Sequence, residues 1–297
     1  MSWKEIKNLL LSIDFQYVLL TNLFYFVNLG YIKRANIPIK YGQSIMLMMW
    51  VFLMKCGMDL KNIATSPNKR KIFQDKGTLR GDLKNESETF KKISLLAFVF
   101  LISSFIPLIQ LIFQAQDGDQ YGFLLILMIS TILFLVQNTR LLRPYYEMID
   151  SFLVTLIIPF IGLYMHKGPF SLSEFTFSSF FLFLFMFSYF IIKNIAMYYE
   201  YHRPIEFGLL SVLNVPAVMS IMVALVTGGF VVLLFFLRLF SGRTLTPEII
   251  INFFLVILFI FSIRRIIFGE KKYFKVIYIL IHLIVGLNLA FLFIFLS

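Results

Sequence analysis

Residues 59–92 read DLKNIATSPNKRKIFQDKGTLRGDLKNESETFKK. This is the one long polar segment in a chain that is otherwise almost continuous hydrocarbon. It follows one apolar run and precedes another. In a membrane, a polar segment of that length must lie in water on one side. It also holds the densest set of groups in the chain able to bind an anion.

The composition around it sets the class. The 297 residues are 59% hydrophobic and include 37 Phe, and only 14% are charged, against about 25% in ordinary soluble domains. Apolar runs of helix-spanning length fall at 15–32, 41–58, 93–113, 121–136, 151–165, 175–197, 215–240, 249–268 and 274–296. A soluble protein could not hide this much apolar surface, and a β-barrel would show short alternating strands instead. The pattern predicts an all-α polytopic membrane protein of about nine transmembrane helices. It is read as a single transmembrane domain over 1–297, with 59–92 as a long cytoplasmic loop and 198–214 as a second polar one.

Charge follows the same logic. The net charge of +11 is explained by basic residues held on the cytoplasmic side, and it implies no nucleic-acid partner. With the N-terminus inside, the inner segments hold Lys69, Arg70, Lys71, Arg140, Arg143, Arg264, Arg265, Lys271 and Lys272. One outer segment carries Asp117 and Asp119, while Lys33, Arg34 and Lys40 form an exception. The balance predicts a cytoplasmic N-terminus and a C-terminus on the opposite side. The first apolar run has no small-residue cleavage site and reads as a retained span. Residues 1–14 read either as a short interfacial helix or as its opening turns.

Some chemistries are unsupported. A lone cysteine, Cys56, builds neither a disulfide framework nor a thiolate metal site. His166, His202 and His282 show no ligand spacing. Helix starts are legible at Ser171 with Glu174, a capping box, and at Thr246-Pro247-Glu248.

Three polar segments carry the candidate site. Asp59 and Asn62 lie three apart and share a helical face at the end of the second run. The basic turn Pro67-Asn68-Lys69-Arg70-Lys71 follows. A carboxylate and an amide beside such a turn can hold a cation and a phosphate together. Arg140 and Arg143, with Glu147 and Asp150 behind them, form the second segment, where two arginines could clamp a diphosphate. The third runs from Lys193 to Pro204. Asn194, Tyr198 and His202 recur every four residues and line one face, with Lys193 and Glu200 beside them. Each segment also has a plain reading, as a charged helix end that obeys the topology rule.

In this order the three segments resemble the UbiA superfamily of intramembrane prenyltransferases, which has nine helices around a central cavity and two polar cytoplasmic loops. Ser66-Pro67-Asn68-Lys69-Arg70-Lys71-Ile72 through Gly77 is similar to the turn after the family's first aspartate-rich motif. Gln137 to Pro144, then Asp150, looks like a loose version of its middle motif. Glu200-Tyr201-His202-Arg203, then Gly208 to Leu213, is similar to the layout of its last motif. The resemblance implies transfer of a prenyl group from an isoprenoid diphosphate to a lipophilic or aromatic acceptor, with Mg²⁺ as cofactor. It implies Asp59, Asn62 and Glu200 as catalytic or polar ligands, with Asp59 and Glu200 toward the metal. Lys69, Arg70, Arg140, Arg143, Lys193, Asn194, Tyr198 and His202 would bind the substrate.

This chain departs from the pattern at the carboxylates. Lys55 or Cys56 falls near the opening acidic position, and Asn194, Tyr198 and His202 stand near other aspartate positions. The alternative is therefore a lipid-binding or partner-binding membrane subunit that keeps the fold without the metals. A transporter is a third class. Its best pointer is Thr227-Gly228-Gly229 in the seventh run, where a glycine pair permits either a break or a close helix contact.

Overall fold

In the computed structural model, the described residues are 15–34, 36–65, 83–114, 120–136, 142–166, 172–201, 208–241, 247–268, 270 and 273–296. Among them all regular structure is helical. The elements are α1 (Phe15–Arg34), α2 (Tyr41–Thr65), α3 (Leu83–Ser103), α4 (Phe105–Gln114), α5 (Gln120–Val136), α6 (Tyr146–Phe152), α7 (Ile158–Met165), α8 (Leu172–Tyr201), α9 (Val215–Phe236), α10 (Pro247–Ile267) and α11 (Tyr273–Leu296). Helices α3 and α4 follow one another as a single rod, as do α6 and α7. The described residues thus form nine rods, as the sequence predicts.

Both interruptions have a proline behind them. Pro107 has no N–H to offer Ser103, and the helix breaks at Ser104 between α3 and α4. Ser104 Oγ donates to the Leu101 carbonyl and touches Met54 Sδ at 3.1 Å, which satisfies the break locally. Pro159 likewise withholds a hydrogen bond from Thr155. Just before it, Leu153–Ile157 widens into a π-type turn.

Seven helices among the described residues are long and apolar enough to cross a membrane: Tyr41–Thr65, Phe90–Phe113, Tyr146–Met165, Leu172–Ala196, Val215–Phe240, Pro247–Ile267 and Tyr273–Leu296. Leu124–Val136 is a shorter apolar helix. Helices are the open-ended structures able to satisfy their own backbone in hydrocarbon, which is why apolar runs of this length fold this way. The element edges differ from the sequence reading in a consistent direction. α2 continues to Thr65 and α3 starts at Leu83, so both ends of the 59–92 segment are helical. α6 starts at Tyr146, ahead of the apolar run that the sequence places from 151.

The chain divides into two compact units. The first comprises Met1–Asn22 and Lys40–Asn138. There α2 packs on α3, with Cys56, Leu60, Ile63 and Ala64 against Phe90, Ile93 and Ala97. The Trp50 ring meets the Phe134 ring edge-on at 5.7 Å, which ties α2 to α5.

The second unit comprises Leu23–Ile39 and Thr139–Ser297. Its axis is α8, which packs against α6, α9 and α11. Gly229 lets α9 approach α8 closely. A Cβ there would lie 2.8 Å from the Phe185 ring. The glycine pair thus serves contact, and α9 runs through it unbroken. Asn252 of α10 and Asn288 of α11 exchange side-chain hydrogen bonds at 2.9 and 3.5 Å in the buried interior. Each also donates to its own helix backbone four residues back, so this amide pair fastens two otherwise apolar helices.

Candidate functional site

In the first unit, one turn of α2 gathers three polar side chains. Lys55, Asp59 and Asn62 follow at spacings of four and three, so helical geometry stacks them on one face. All three are buried, at 1%, 6% and 4% exposure. Lys55 Nζ lies 3.4 Å from Asp59 Oδ1. The same ammonium sits 4.2 Å from the centre of the Tyr17 ring, whose negative face suits a cation. Asn62 Nδ2 is buried without a hydrogen-bond partner. Cys56, the next residue along, is fully buried as a free thiol in the α2–α3 core.

The second unit, taken by itself, has a knot around Glu147. This side chain is 1% exposed at the start of α6. Its Oε1 accepts from Asn194 Nδ2 of α8 at 2.7 Å. Its Oε2 accepts from the Leu209 backbone N–H at 3.0 Å. One carboxylate thus joins α6, α8 and the turn ahead of α9. Gly208 makes the approach possible. Its φ of +84° lies in the left-handed region, and a Cβ there would overlap Glu147 Oε1. The turn is then closed by Ser211, whose N–H and hydroxyl both donate to the Gly208 carbonyl. Asn214 caps α9 by accepting from the Ala217 N–H at 3.0 Å.

A polar seam continues from this knot into the membrane-crossing part of the rod. Ser151 Oγ donates to the Glu147 carbonyl, and Thr155 Oγ1 donates to the Ser151 carbonyl. Asp150 is buried at 1% exposure on the adjacent face. Ionisable groups at such depth are costly in hydrocarbon and need polar company inside the protein.

The sequence-based candidates distribute unevenly. Asp59 and Asn62 fall on a shared face, as expected, with Lys55 added to them. Asn194 is engaged by Glu147, and Lys193 beside it is half-buried. Arg143 begins a short 3₁₀ turn, Arg143–Tyr145, that leads into α6. Glu200 and Tyr198 lie on the last turns of α8, and only their backbone is described. Lys69, Arg70, Arg140 and His202 lie outside the described residues, as does Ser171. Glu147 and Gly208 were not singled out as site residues. A usable signal existed for Glu147. It is followed at four-residue steps by Ser151 and Thr155, a polar stripe on an otherwise apolar helix.

The donor set bears on the implied metal. Mg²⁺ wants about six oxygens in octahedral order at about 2.0–2.1 Å. On this face of α2, the described donors are one carboxylate and one amide, and an ammonium already leans on the carboxylate. A divalent ion about 5 Å from that ammonium would meet repulsion on the order of 7 kcal/mol at an effective dielectric of about 20. Among the described residues no group of three or more His, Cys, Asp or Glu comes together to hold a metal. The described α2 residues therefore do not fit a divalent cation.

Comparison with solved structures gives two full-length likenesses. One is a structure of digeranylgeranylglyceryl phosphate synthase in membranes. It matches over 98% of this chain and 98% of its own, with a TM-score of 0.61 and 15% identity. The other is the apo structure of a UbiA homolog from Aeropyrum pernix K1. It matches over 93% of this chain and 97% of its own, with a TM-score of 0.53 and 14% identity. No protein-family model and no curated protein sequence matches the chain. The chain shares the fold of these two proteins, one of them a UbiA homolog, over nearly its whole length.

Proposed function

We propose that this chain is an intramembrane prenyltransferase, moving a prenyl group from an isoprenoid diphosphate to a lipophilic or aromatic acceptor. One observation carries the reading: the fold matches a synthase of a geranylgeranylated lipid over 98% of both chains. Fold alone does not assign chemistry. The buried polar residues Lys55, Asp59 and Asn62 on a membrane-crossing helix add support, because such groups persist where a polar ligand meets the membrane.

The reaction is a substitution at the allylic carbon. The C1–O bond breaks, and its electron pair leaves with the diphosphate. A lone pair or ring π pair of the acceptor forms the new bond to C1, and the acceptor's displaced proton passes to the released diphosphate. Catalysis requires positive groups at the departing oxygens and dry walls around the cationic carbon. In this reading Lys69, Arg70, Arg140 and Arg143 contact the diphosphate. Asp59, Asn62 and Glu200 are the polar ligands near the reacting head. Lys193, Asn194, Tyr198 and His202 complete the substrate contacts. The many phenylalanines of the apolar helices accommodate the tail. The N-terminus lies in the cytoplasm and the C-terminus on the opposite side.

A second reading has its own observation. The Lys55–Asp59 pair engages the carboxylate that a metal would use, which favours a lipid-binding or partner-binding subunit without catalysis. The discriminating experiment is transfer of a radiolabelled geranylgeranyl group to lipid and phenolic acceptors, using purified chain in liposomes. Transfer that collapses in Asp59→Ala and Glu200→Ala supports the enzyme. Transfer unchanged in both variants would sink the residue assignment. Tight diphosphate binding without transfer to any acceptor selects the second reading.

A further inference from the structure

The lipid-exposed face of α10 ends in cations. Phe254, Ile257, Leu258 and Phe261 are exposed along it, and Arg264 and Arg265 continue the same face at the C-terminal end. Ser262, Ile263 and Ile266, on the opposite face, are buried. α11 packs against α10 and repeats the arrangement from its first turn. Its Lys275 is exposed, with the exposed Ile279 one turn further on.

The two guanidiniums are laid against exposed rings. Arg264 Cζ lies 5.8 Å from the centre of the Phe268 ring, and Arg265 Cζ lies 5.1 Å from that of Phe261. Phe261 belongs to the membrane-crossing segment, so Arg265 reaches back one turn toward the hydrocarbon. The turn behind them is fixed. The Glu270 N–H donates to the Arg265 carbonyl at 3.0 Å, and Arg265 Nη1 lies 2.9 Å from Glu270 Oε1.

Positive charge is left over. Residues 264–275 hold five basic side chains and one acid, Glu270, which Arg265 engages. Two of the five, Lys271 and Lys272, lie outside the described residues. Among the described residues neither Arg264 nor Lys275 meets a carboxylate. The topology rule counts basic residues on one side of the membrane and does not ask that they top a lipid-facing stripe. Cations at the level where such a stripe ends meet the phosphate layer of the bilayer, and a guanidinium matches phosphate oxygens in geometry.

We propose that the adjoining ends of α10 and α11 form, through Arg264, Arg265 and Lys275, a docking surface for the headgroups of acidic phospholipids. A net negative headgroup is selected, because in a zwitterionic lipid the ammonium offsets the phosphate.

The test is thermophoretic titration of the purified full chain in detergent with tail-labelled phosphatidylglycerol and, in parallel, tail-labelled phosphatidylcholine. The wild type is expected to bind phosphatidylglycerol about tenfold or more tightly, each cation near an acidic surface being worth about fivefold. Arg264→Gln with Lys275→Gln is expected to erase that preference. Lys33→Gln with Arg238→Gln removes two exposed cations at the other end of α11, where Gly30 meets Leu296 and Phe236 meets Phe295, and is expected to keep it. Equal affinity of the wild type for both lipids overturns the proposal. So does a preference that survives in Arg264→Gln with Lys275→Gln, or one that falls equally in both pairs, since net charge would then suffice. Displacement of phosphatidylglycerol by micromolar inorganic pyrophosphate at constant ionic strength also overturns it, because the surface would then take free phosphate groups. All four changes fall on exposed side chains, and a matched melting temperature certifies the fold of each variant.

Discussion

Asn194 donates from Nδ2 to Glu147 Oε1 at 2.7 Å, joining two helices whose residues lie 47 positions apart. With the Leu209 N–H on the other carboxylate oxygen, this contact fixes where the third polar segment begins. Truncation of Glu147 is therefore felt in two elements at once. Glu147→Ala should cost about 1–3 kcal/mol, because it leaves two partly buried donors without their carboxylate. Asn194→Ala should cost less, since Glu147 keeps the Leu209 N–H. Thermal unfolding in detergent checks the order. Hydrogen exchange at the Leu209 amide should accelerate in Glu147→Ala and stay near wild type in Asn194→Ala.

Gly208 makes a separable prediction. An alanine there carries a left-handed φ of +84° and sets its Cβ against Glu147 Oε1. The backbone term alone is on the order of 1 kcal/mol, and the steric term adds to it. In Gly208→Ala combined with Glu147→Ala the clash vanishes while the φ cost stays. The pair should therefore lose clearly less stability than the sum of the two single changes, a non-additivity that a double-mutant cycle reads directly. Additive losses would mean that the two residues do not touch.

The Lys55–Asp59 pair predicts an asymmetry between breaking and removing. Asp59→Leu takes the carboxylate from a buried ammonium and should cost about 3–5 kcal/mol. Lys55→Met takes the ammonium from a buried carboxylate, with a loss of similar size. Lys55→Met together with Asp59→Leu should recover most of either loss. Survival of a monodisperse peak after graded heating gives the ranking. Equal damage from all three changes would contradict the pairing seen at 3.4 Å.

Orientation can be read with thiol labelling. Cys56, the one cysteine of the chain, is fully buried, so an impermeant maleimide should leave the native wild type unlabelled. In a Cys56→Ser background, Lys69→Cys should label from the cytoplasmic face and Asp117→Cys from the opposite face. The reverse pattern would invert the proposed topology.

Several features were legible without coordinates. The apolar runs located the rods, and Thr246-Pro247-Glu248 marked the start of α10 at Pro247. The spacing of Asp59 and Asn62 placed them on one face, and α2 extends far enough to make that face helical. The start of α6 was missed for a physical reason. Tyr145-Tyr146-Glu147 reads as a solvated end when each residue is weighed by its own polarity, yet Glu147 is buried at 1% exposure. Its acceptable burial depends on donors 47 and 62 residues away, and no local window contains them.

By itself, then, the sequence determined the solvent and the secondary structure. Apolar stretches of this length enter a bilayer, and a backbone in hydrocarbon must close its hydrogen bonds within its own helix. Both facts are local to each run. Only the tertiary structure decided what each buried charge faces. Lys55 and Asp59 are four residues apart in any helix, but whether they stand in water or against Tyr17 follows from packing. Glu147 meets Asn194 and Leu209 because three distant segments converge on it. Charge in a membrane interior is governed by its partners, and partners are set by the fold.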